Sequence, residues 1–160
     1  MSLYDRIILA TARTRAGAWF FVRVATHVDR HLMRWTSGRV SSGIGSRFHR
    51  SAALVVTMGR KSGQERRAPL LATPDGERLV LIASDGGNPK HPAWYGNLKK
   101  TPRCRALFGG RWREYDAHEA ESDERARLWD LAVANYAGYA DYQRRVERRI
   151  PVMVLVPVAR

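Results

Sequence analysis

Two glycine-rich segments and one group of tyrosines hold the residue types that suit chemistry in this sequence. The first segment is residues 59–64, GRKSGQ, which lies between two apolar stretches. Its glycines let the backbone approach a ligand and turn amides toward it, and Arg60, Lys61 and Ser62 add hydrogen-bond donors. The segment therefore suits a phosphate, and a basic hairpin turn is the alternative. It does not match GxxxxGK[ST], the P-loop pattern.

The second glycine-rich segment is residues 84–87, SDGG, which leads on to residues 91–95, HPAWY. It lies where a strand is expected to give way to a loop and then to a short helix. Polar and aromatic side chains at the end of a strand are well placed to line a pocket. The alternative is a structural loop that a buried Trp94 anchors.

The tyrosine group consists of Tyr136, Tyr139 and Tyr142, spaced by three. On one helix they would share a broad face. Their hydroxyls could polarise an acceptor oxygen or donate a proton. Core packing with hydroxyls at the rim is the alternative, and the residues alone favour it.

Other catalytic and metal-binding patterns are weak or excluded. With Cys104 as its one cysteine, the sequence rules out an intramolecular disulfide and a cysteine-based zinc site. His27 and His31 have helical spacing, but no HExxH pattern accompanies them, so we predict no metal site. No nucleophile elbow is present.

The composition indicates a globular protein. The chain has 160 residues, of which 44% are hydrophobic and 27% charged, and this suits one domain with an additional arm. No run of 18 apolar residues suggests a membrane-spanning helix. The start, MSLYDRII, lacks the pattern of a secretory signal, so we expect a cytoplasmic setting.

The charge is strongly positive, at +13, and is concentrated in the first 67 residues. Such a field attracts nucleic acid, anionic lipid or a charged cofactor, and arginine suits phosphate and carboxylate groups. Solvated surface arginines are the alternative. No recognised nucleic-acid motif is present, so we expect no nucleic-acid partner.

The elements that must position these segments are mostly strands. We expect strands over residues 52–57, 66–72, 78–83, 103–108, 111–118 and 151–157. The steps Asp75-Gly76 and Gly109-Gly110 predict tight hairpins. We expect a short helix over 92–98 and a longer one from an N-cap at Ser122 to about 134, with Ala126, Leu128, Leu131 and Ala132 inward. This pattern predicts a mostly β protein with flanking helices, an antiparallel barrel, and disfavours a doubly wound parallel sheet.

Residues 1–50 are predicted to form a basic arm, and residues 51–160 the barrel domain. Residues 1–36 have helical spacing of apolar residues opposite an arginine- and histidine-rich stripe, and residues 37–50 form a glycine- and serine-rich linker. Two interpretations stay open. The helix lies on an anionic membrane surface, or it packs on the barrel or on a dimer partner.

These features resemble, in this order, the actinobacterial deazaflavin-dependent nitroreductase and quinone reductase family, which uses coenzyme F420. The resemblance covers residues 54–157 and rests on TMGRKSGQERRAPLL, LVLIASDGGNPKHPAWYGNLKKTP and ERARLWDLAVANYAGYADYQRRVERRIPVMVLVP. It implies a six-stranded split β-barrel like those that bind FMN, which agrees with the strand prediction.

The resemblance also implies site residues. The cradle for the phosphate and oligoglutamate tail of the cofactor would be Gly59, Arg60, Lys61, Ser62, Gly63, Gln64 and Arg66. The residues beside the deazaflavin ring would be Pro69, Leu70, Ala83, Ser84, Gly86, Gly87, Ala93, Trp94 and Asn97. The residues that act on the acceptor would be Ser84, Tyr136, Tyr139 and Tyr142.

The implied reaction is hydride transfer from reduced F420 to a quinone-like or other electrophilic acceptor. Leu71 replaces an aromatic residue of members that reduce nitroimidazoles, which favours a quinone. Glu65 and Asp85 place acids beside the proposed anion sites. The alternatives are a non-catalytic cofactor- or fatty-acid-binding barrel and an FMN-dependent reductase. The implied partners are a quinone-like acceptor, a homodimer mate, and an anionic membrane for the arm, at the inner face of the membrane.

Overall fold

Six strands close into an antiparallel barrel in the part of the chain that the structure describes, residues 51–159 of a computed structural model. The strands are β1 Ala52–Met58, β2 Glu65–Asp75, β3 Arg78–Ile82, β4 Arg103–Phe108, β5 Arg111–Glu119 and β6 Val152–Pro157. The helices are α1 Ala93–Lys100, α2 Ser122–Asn135 and α3 Gly138–Arg145. Around the barrel the strands follow the order β1-β2-β3-β6-β5-β4. The predicted antiparallel barrel with flanking helices is confirmed.

The two predicted hairpins close where the sequence places glycine. Asp75 pairs with Arg78 around Gly76, which has a φ of 63°. Phe108 pairs with Arg111 around Gly109 and Gly110, which have φ values of 57° and 76°. These left-handed conformations cost glycine little because it has no Cβ.

One core fills the barrel interior. Alternate residues of the strands point inward, and α1 adds Trp94 and Leu98 at one end. The buried members of this first core are Ala53, Val55, Ala72, Leu79, Leu81, Ala83, Trp94, Leu98, Cys104, Ala106, Tyr115, Met153 and Leu155. Burial raises the pKa of the Cys104 thiol to about 12, which is consistent with a core residue and not with a reactive thiolate.

A second core lies on the outer face of β3 and β6, beneath α2 and α3. Its buried members are Val80, Ile82, Ala120, Leu128, Ala132, Tyr139, Tyr142, Ile150, Val152 and Val154. Because β3 alternates, the same short strand contributes Leu79 and Leu81 to the first core and Val80 and Ile82 to the second. This second core carries two of the three predicted site tyrosines.

The start of α2 differs from the prediction. Ser122 is the first helical residue, with a φ of 48°, and Glu121 flanks the helix without a side-chain capping bond. Two acids of the first turn, Asp123 and Glu124, interact favourably with the positive end of the helix dipole, although no side chain caps the helix. Ala126, expected to face inward, is exposed. The buried residues of this helix are Leu128 and Ala132.

The predicted arm and linker, residues 1–50, lie outside the described residues. The division of the chain at residue 50 and the membrane contact therefore stay predictions. Within residues 51–159, no helix is long and apolar enough to cross a membrane.

Candidate functional site

Both glycine-rich segments lie at the same end of the barrel. β1 and β3 are each antiparallel to β2, so they run in the same direction and end at the same rim. Residues 59–64 follow β1, and residues 83–92 follow β3 and lead into α1. The topology thus brings together the two predicted cofactor-binding loops, which the sequence separates by about twenty residues.

The first loop, residues 59–64, is a tight turn that requires its glycines. The Gly59 amide donates to the Gln64 carbonyl at 2.8 Å, and the Gly63 amide donates to the Gly59 carbonyl at 2.8 Å. A Cβ at Gly59 would come within 2.7 Å of Ser62 Oγ, and Gly63 has a φ of 64°. A side chain at either position would distort the turn.

Helix α1 fixes this first loop in place. Asn97 Oδ1 accepts the Arg60 backbone N–H at 3.0 Å, and Lys100 Nζ donates to the Arg60 carbonyl at 2.8 Å. The Arg60 guanidinium lies across Gly96, where a Cβ would be 2.4 Å from Nη1. Asn97, predicted to lie beside the cofactor, therefore acts in the structure as the link between the helix and the loop.

The first loop presents positive charge and free donors. Its exposed cations, together with those that begin β2, are Arg60, Lys61, Arg66 and Arg67. Within residues 51–159, the amides of Lys61 and Ser62 donate to no acceptor, and the Ser62 hydroxyl accepts from Arg66 Nη2 at 3.2 Å. Such a concave set of amides and cations fits a phosphate or carboxylate.

Glu65, an acid expected to repel an anion at the first loop, forms an ion pair with Arg105. Both carboxylate oxygens of Glu65 accept from Arg105 Nη2 at 3.0 Å. The ion pair is exposed, so it adds little stability, but it offsets the charge of the carboxylate beside the loop. Glu65 therefore adds little net negative charge beside the predicted anion-binding loop.

The second loop, residues 83–92, takes a left-handed course through Asp85, Gly86 and Gly87, with φ values of 49°, 67° and 82°. The Gly87 amide donates to the Ser84 carbonyl at 3.0 Å. Ser84 is buried, and its hydroxyl makes no hydrogen bond to any residue of 51–159. Burial raises the pKa of the Asp85 carboxyl, and the Arg148 charge opposes that shift.

Arg148 is a residue of this site that the sequence reasoning missed. Its guanidinium donates to the backbone carbonyls of the second loop from about sixty residues away in the chain. No spacing rule could find it, since it is one of many arginines and its partners are backbone atoms.

Other predicted cofactor neighbours divide between surface and core. Ala93 is exposed at the start of α1, whereas the Trp94 indole is only 8% exposed and packs in the first core. Leu70 packs against the first core inside the barrel, and strand alternation places Pro69 on the opposite face of β2. The two predicted neighbours on β2 therefore do not face the same side.

The three tyrosines meet in space, although not on one helix as predicted. Tyr136 is the C-cap residue that follows α2, while Tyr139 and Tyr142 lie on α3. The Tyr136 and Tyr139 rings pack edge to face with centroids 5.1 Å apart, and the Tyr136 and Tyr142 hydroxyls are 2.9 Å apart. The rings pack in the second core, as the packing interpretation expects.

Burial controls the protonation of two of these tyrosines, Tyr136 and Tyr139. It raises the pKa of Tyr136 and of Tyr139 above the usual value, and the neighbouring Tyr142 adds to both shifts. Both phenols stay protonated at neutral pH and can donate a hydrogen bond.

A separate polar cavity of about 310 Å³ lies between the end of β5 and the start of α2. Its lining residues are Glu119, Ala120, Glu121, Ser122, Arg125, Arg149 and Pro151. It includes none of the predicted site residues, and arginines and glutamates of opposite charge share its wall.

Known proteins are similar to this chain in sequence and in fold. The sequence model of the F420H2-dependent quinone reductase family matches residues 29–157. A Mycobacterium tuberculosis protein named F420H2-dependent quinone reductase is 35% identical over 130 residues, which are 78% of this chain and 84% of that protein. Another protein of that organism, with a provisional form of the same name, is 39% identical over 72% of this chain and 97% of its own length.

Two solved structures agree with the barrel. A structure described as an F420-H2 dependent reductase shows 39% identity and a TM-score of 0.63, and it covers 66% of this chain and 94% of its own. A structure described as a domain-swapped dimer shows 34% identity and a TM-score of 0.65, and it covers 79% of this chain and 95% of its own. The chain therefore belongs to the F420H2-dependent quinone reductase family, as an oxidoreductase whose cofactor is coenzyme F420.

Proposed function

We propose that this chain binds the anionic tail of F420 at residues 59–64 and the ring beside residues 83–87, and that it reduces a quinone there. One observation carries the proposal. The cationic turn and the left-handed glycine loop lie at one barrel end, and α1 joins them by following the second loop and hydrogen-bonding the first.

The first loop suits the tail because the tail is a polyanion. Lys61 and Arg66 are exposed, and the Lys61 and Ser62 amides have no other acceptor among the described residues. Arg60 is already fixed by Asn97 and Lys100, so the turn is ordered before any anion arrives. Such preorganisation lowers the entropy cost of binding.

The second loop suits the reacting end of the cofactor. When bound, reduced F420 supplies the hydride. The Ser84 hydroxyl and the free amides of Asp85 and Gly86 can donate hydrogen bonds at this loop. Donors fixed in advance stabilise negative charge that develops during transfer and hold the reactants in a reactive orientation.

The tyrosine cluster suits the quinone. Gly87 of the second loop packs against the backbone of Tyr142, so the cluster borders the proposed ring site. Burial raises the pKa of Tyr139, so its phenol stays neutral and can donate a hydrogen bond to a quinone oxygen, while the aromatic rings of the cluster exclude water. The names of the M. tuberculosis relatives support a quinone as acceptor.

The acceptor chemistry also gives the basic arm a role. Residues 1–50 carry nine arginines against two acids, and a basic amphipathic helix binds anionic membranes, where lipid quinones reside. Pelleting with anionic vesicles, for the full chain and for a chain lacking residues 1–45, tests this contact. Equal pelleting of the two would contradict it. Light scattering would test a homodimer, which the domain-swapped relative supports.

Titration with oxidised F420, followed by tryptophan fluorescence and with FMN in parallel, tests the proposed site. We expect saturable, salt-sensitive binding of F420 and none of FMN. The double variant Lys61→Gln, Arg66→Gln should weaken F420 binding by about tenfold, since each exposed charge contributes modestly. Arg111→Gln, at the opposite end of the barrel, is the matched control. Equal loss in both variants would contradict the tail site.

A further inference from the structure

One guanidinium holds the whole second loop from behind. Arg148 Nη2 donates to the Ala83 carbonyl at 3.2 Å, to the Ser84 carbonyl at 3.1 Å and to the Lys90 carbonyl at 3.3 Å. Nε donates to the Asn88 carbonyl at 3.0 Å. Nη1 lies 3.1 Å from His91 Nδ1. All three nitrogens of the side chain therefore contact one segment, residues 83–91.

These bonds determine where the loop's amides point. In a planar trans peptide the C=O and the following N–H point in opposite directions. Because the Ser84 carbonyl faces Arg148, the Asp85 N–H of the same peptide points away from it. That amide has no acceptor within residues 51–159, so it is free for a ligand on the other side of the loop.

The arrangement requires arginine in particular. The loop passes through three consecutive left-handed residues, of which Asp85 is not a glycine, so its backbone is strained and needs external support. A lysine ammonium has a single donor atom and could not reach carbonyls spread over residues 83–90. The half-buried Arg148 also places positive charge beside Asp85, the acid of this loop.

Two exposed arginines near Arg148 in the chain, Arg144 and Arg149, make other contacts. Arg149, next in the chain, is exposed and lines the separate polar cavity. Arg144 is exposed and pairs with Asp141 of its own helix. Of Arg144, Arg148 and Arg149, it is Arg148 whose guanidinium donates to the second loop.

We propose that Arg148 is a positioning residue for hydride transfer: its guanidinium fixes residues 83–91 in the shape that receives the F420 ring. This inference rests on the proposed placement of F420. It predicts that loss of the guanidinium weakens F420 binding and slows turnover while the barrel stays folded.

Two measurements on Arg148→Gln, Arg148→Lys and Arg149→Gln separate the possibilities. The first is hydrogen exchange without cofactor at the Gly87 and Asn88 amides, which donate to the Ser84 and Asp85 carbonyls. We expect about tenfold faster exchange in Arg148→Gln, with Arg149→Gln unchanged, since several charge-assisted bonds are lost. Exchange at strand β1 should be equal in all three and in the wild type.

The second measurement is F420 affinity and turnover. We expect Arg148→Gln to raise the Kd of F420 about tenfold and to lower kcat. Arg148→Lys should show most of the same defect, and Arg149→Gln should match the wild type. In Arg148→Ala, millimolar guanidinium should restore binding, whereas sodium chloride at equal ionic strength should not.

The outcomes distinguish this inference from the proposed function. If the wild type binds F420 and Arg148→Gln binds and turns over equally well, the role of Arg148 is wrong and the proposed function stands. If the wild type does not bind F420, the proposed function is wrong, and faster loop exchange in Arg148→Gln would show only that Arg148 holds the loop. Equal exchange would overturn both the hold and the positioning role.

Discussion

Gly87 lies directly against the backbone of Tyr142, where a Cβ would be 3.4 Å from the Tyr142 Cα and 3.5 Å from its carbonyl oxygen. This contact joins the second glycine loop to the tyrosine cluster, although the two are far apart in sequence. The proposed ring site and the proposed acceptor site therefore share a wall, as transfer between two bound reactants requires.

Gly87→Ala should disturb this wall. Gly87 has a φ of 82°, so alanine would strain the backbone of the loop at the point where it meets α3. We expect a loss of about 1–3 kcal/mol in the free energy of unfolding and a weaker F420 affinity. Urea denaturation and the fluorescence titration measure the two effects.

Gly76→Ala is the matched control. Gly76 has a φ of 63° but nothing within 4 Å of its Cβ position, and it lies in the turn at the opposite end of the barrel. It should show a similar loss of stability with unchanged F420 affinity. A loss of affinity in both variants would indicate a general effect of destabilisation.

Asn97→Ala should loosen the first loop. Asn97 is buried, and its Nδ2 donates to Thr57 Oγ1 at 3.0 Å while its Oδ1 accepts the Arg60 N–H. Truncation leaves a buried hydroxyl and a backbone amide without partners, so we expect about 1–3 kcal/mol of destabilisation and reduced F420 affinity. Lys99→Ala, on the same helix as Asn97, is the control. It removes an exposed ion pair with Glu119 of β5 and should change the free energy of unfolding by less than about 1 kcal/mol. Equal effects would refute the link through Asn97.

Tyr139→Phe should separate turnover from binding. The ring packs in the second core, and phenylalanine keeps that packing. Phenylalanine removes the hydroxyl, which stays neutral because burial raises its pKa and which we propose as a donor to the acceptor. We expect kcat to fall about tenfold or more, with the Kd of F420 unchanged. A parallel fall in affinity and turnover would argue for a purely structural residue.

Local patterns determined much of the fold and part of the site. The glycines at positions 76, 109 and 110 predicted both hairpins because only glycine takes those φ values at little cost. The GRKSGQ run predicted the cationic turn for the same reason. The bounds of β4, Arg103–Phe108, were also predicted correctly.

Contacts between distant residues could not be predicted from such patterns. The spacing of Tyr136, Tyr139 and Tyr142 suggested one helix, but the chain leaves the helix at Tyr136 and Ala137. A new helix begins at Gly138, and the rings meet across the break. The position of Arg148 behind the second loop and the pairing of Glu65 with Arg105 depend on how the barrel closes. The order of the strands in the barrel determines which distant residues become neighbours, and residue spacing along the chain does not reveal that order.

The contact between His91 and Arg148 should make the stability of the fold depend on pH. Arginine only donates hydrogen bonds, so the contact between Arg148 Nη1 and His91 Nδ1 requires Nδ1 to be unprotonated. Burial and then the Arg148 charge lower the pKa of His91 below 6.5, and Glu119 partly opposes them. Tyr95, which stacks on His91 at 4.9 Å, stays neutral because burial and its bond to Glu119 raise its pKa to about 12.

The sign follows from which state binds the proton more readily. Between the lowered folded pKa of His91 and 6.5, the unfolded chain binds more protons, so the folded state loses stability as pH falls through that window. The contribution of neutral His91 to the free energy of unfolding is fully present above pH 6.5. His91→Asn offers an amide oxygen to Arg148 and does not titrate, so it should lack this loss. The wild-type free energy of unfolding, measured against His91→Asn by urea denaturation, should therefore decline between pH 7 and pH 5. The raised pKa of Asp85 is present in both proteins, so its effect cancels in the difference between their free energies of unfolding. Parallel stability curves for the wild type and His91→Asn would show that Arg148 does not hold His91 neutral.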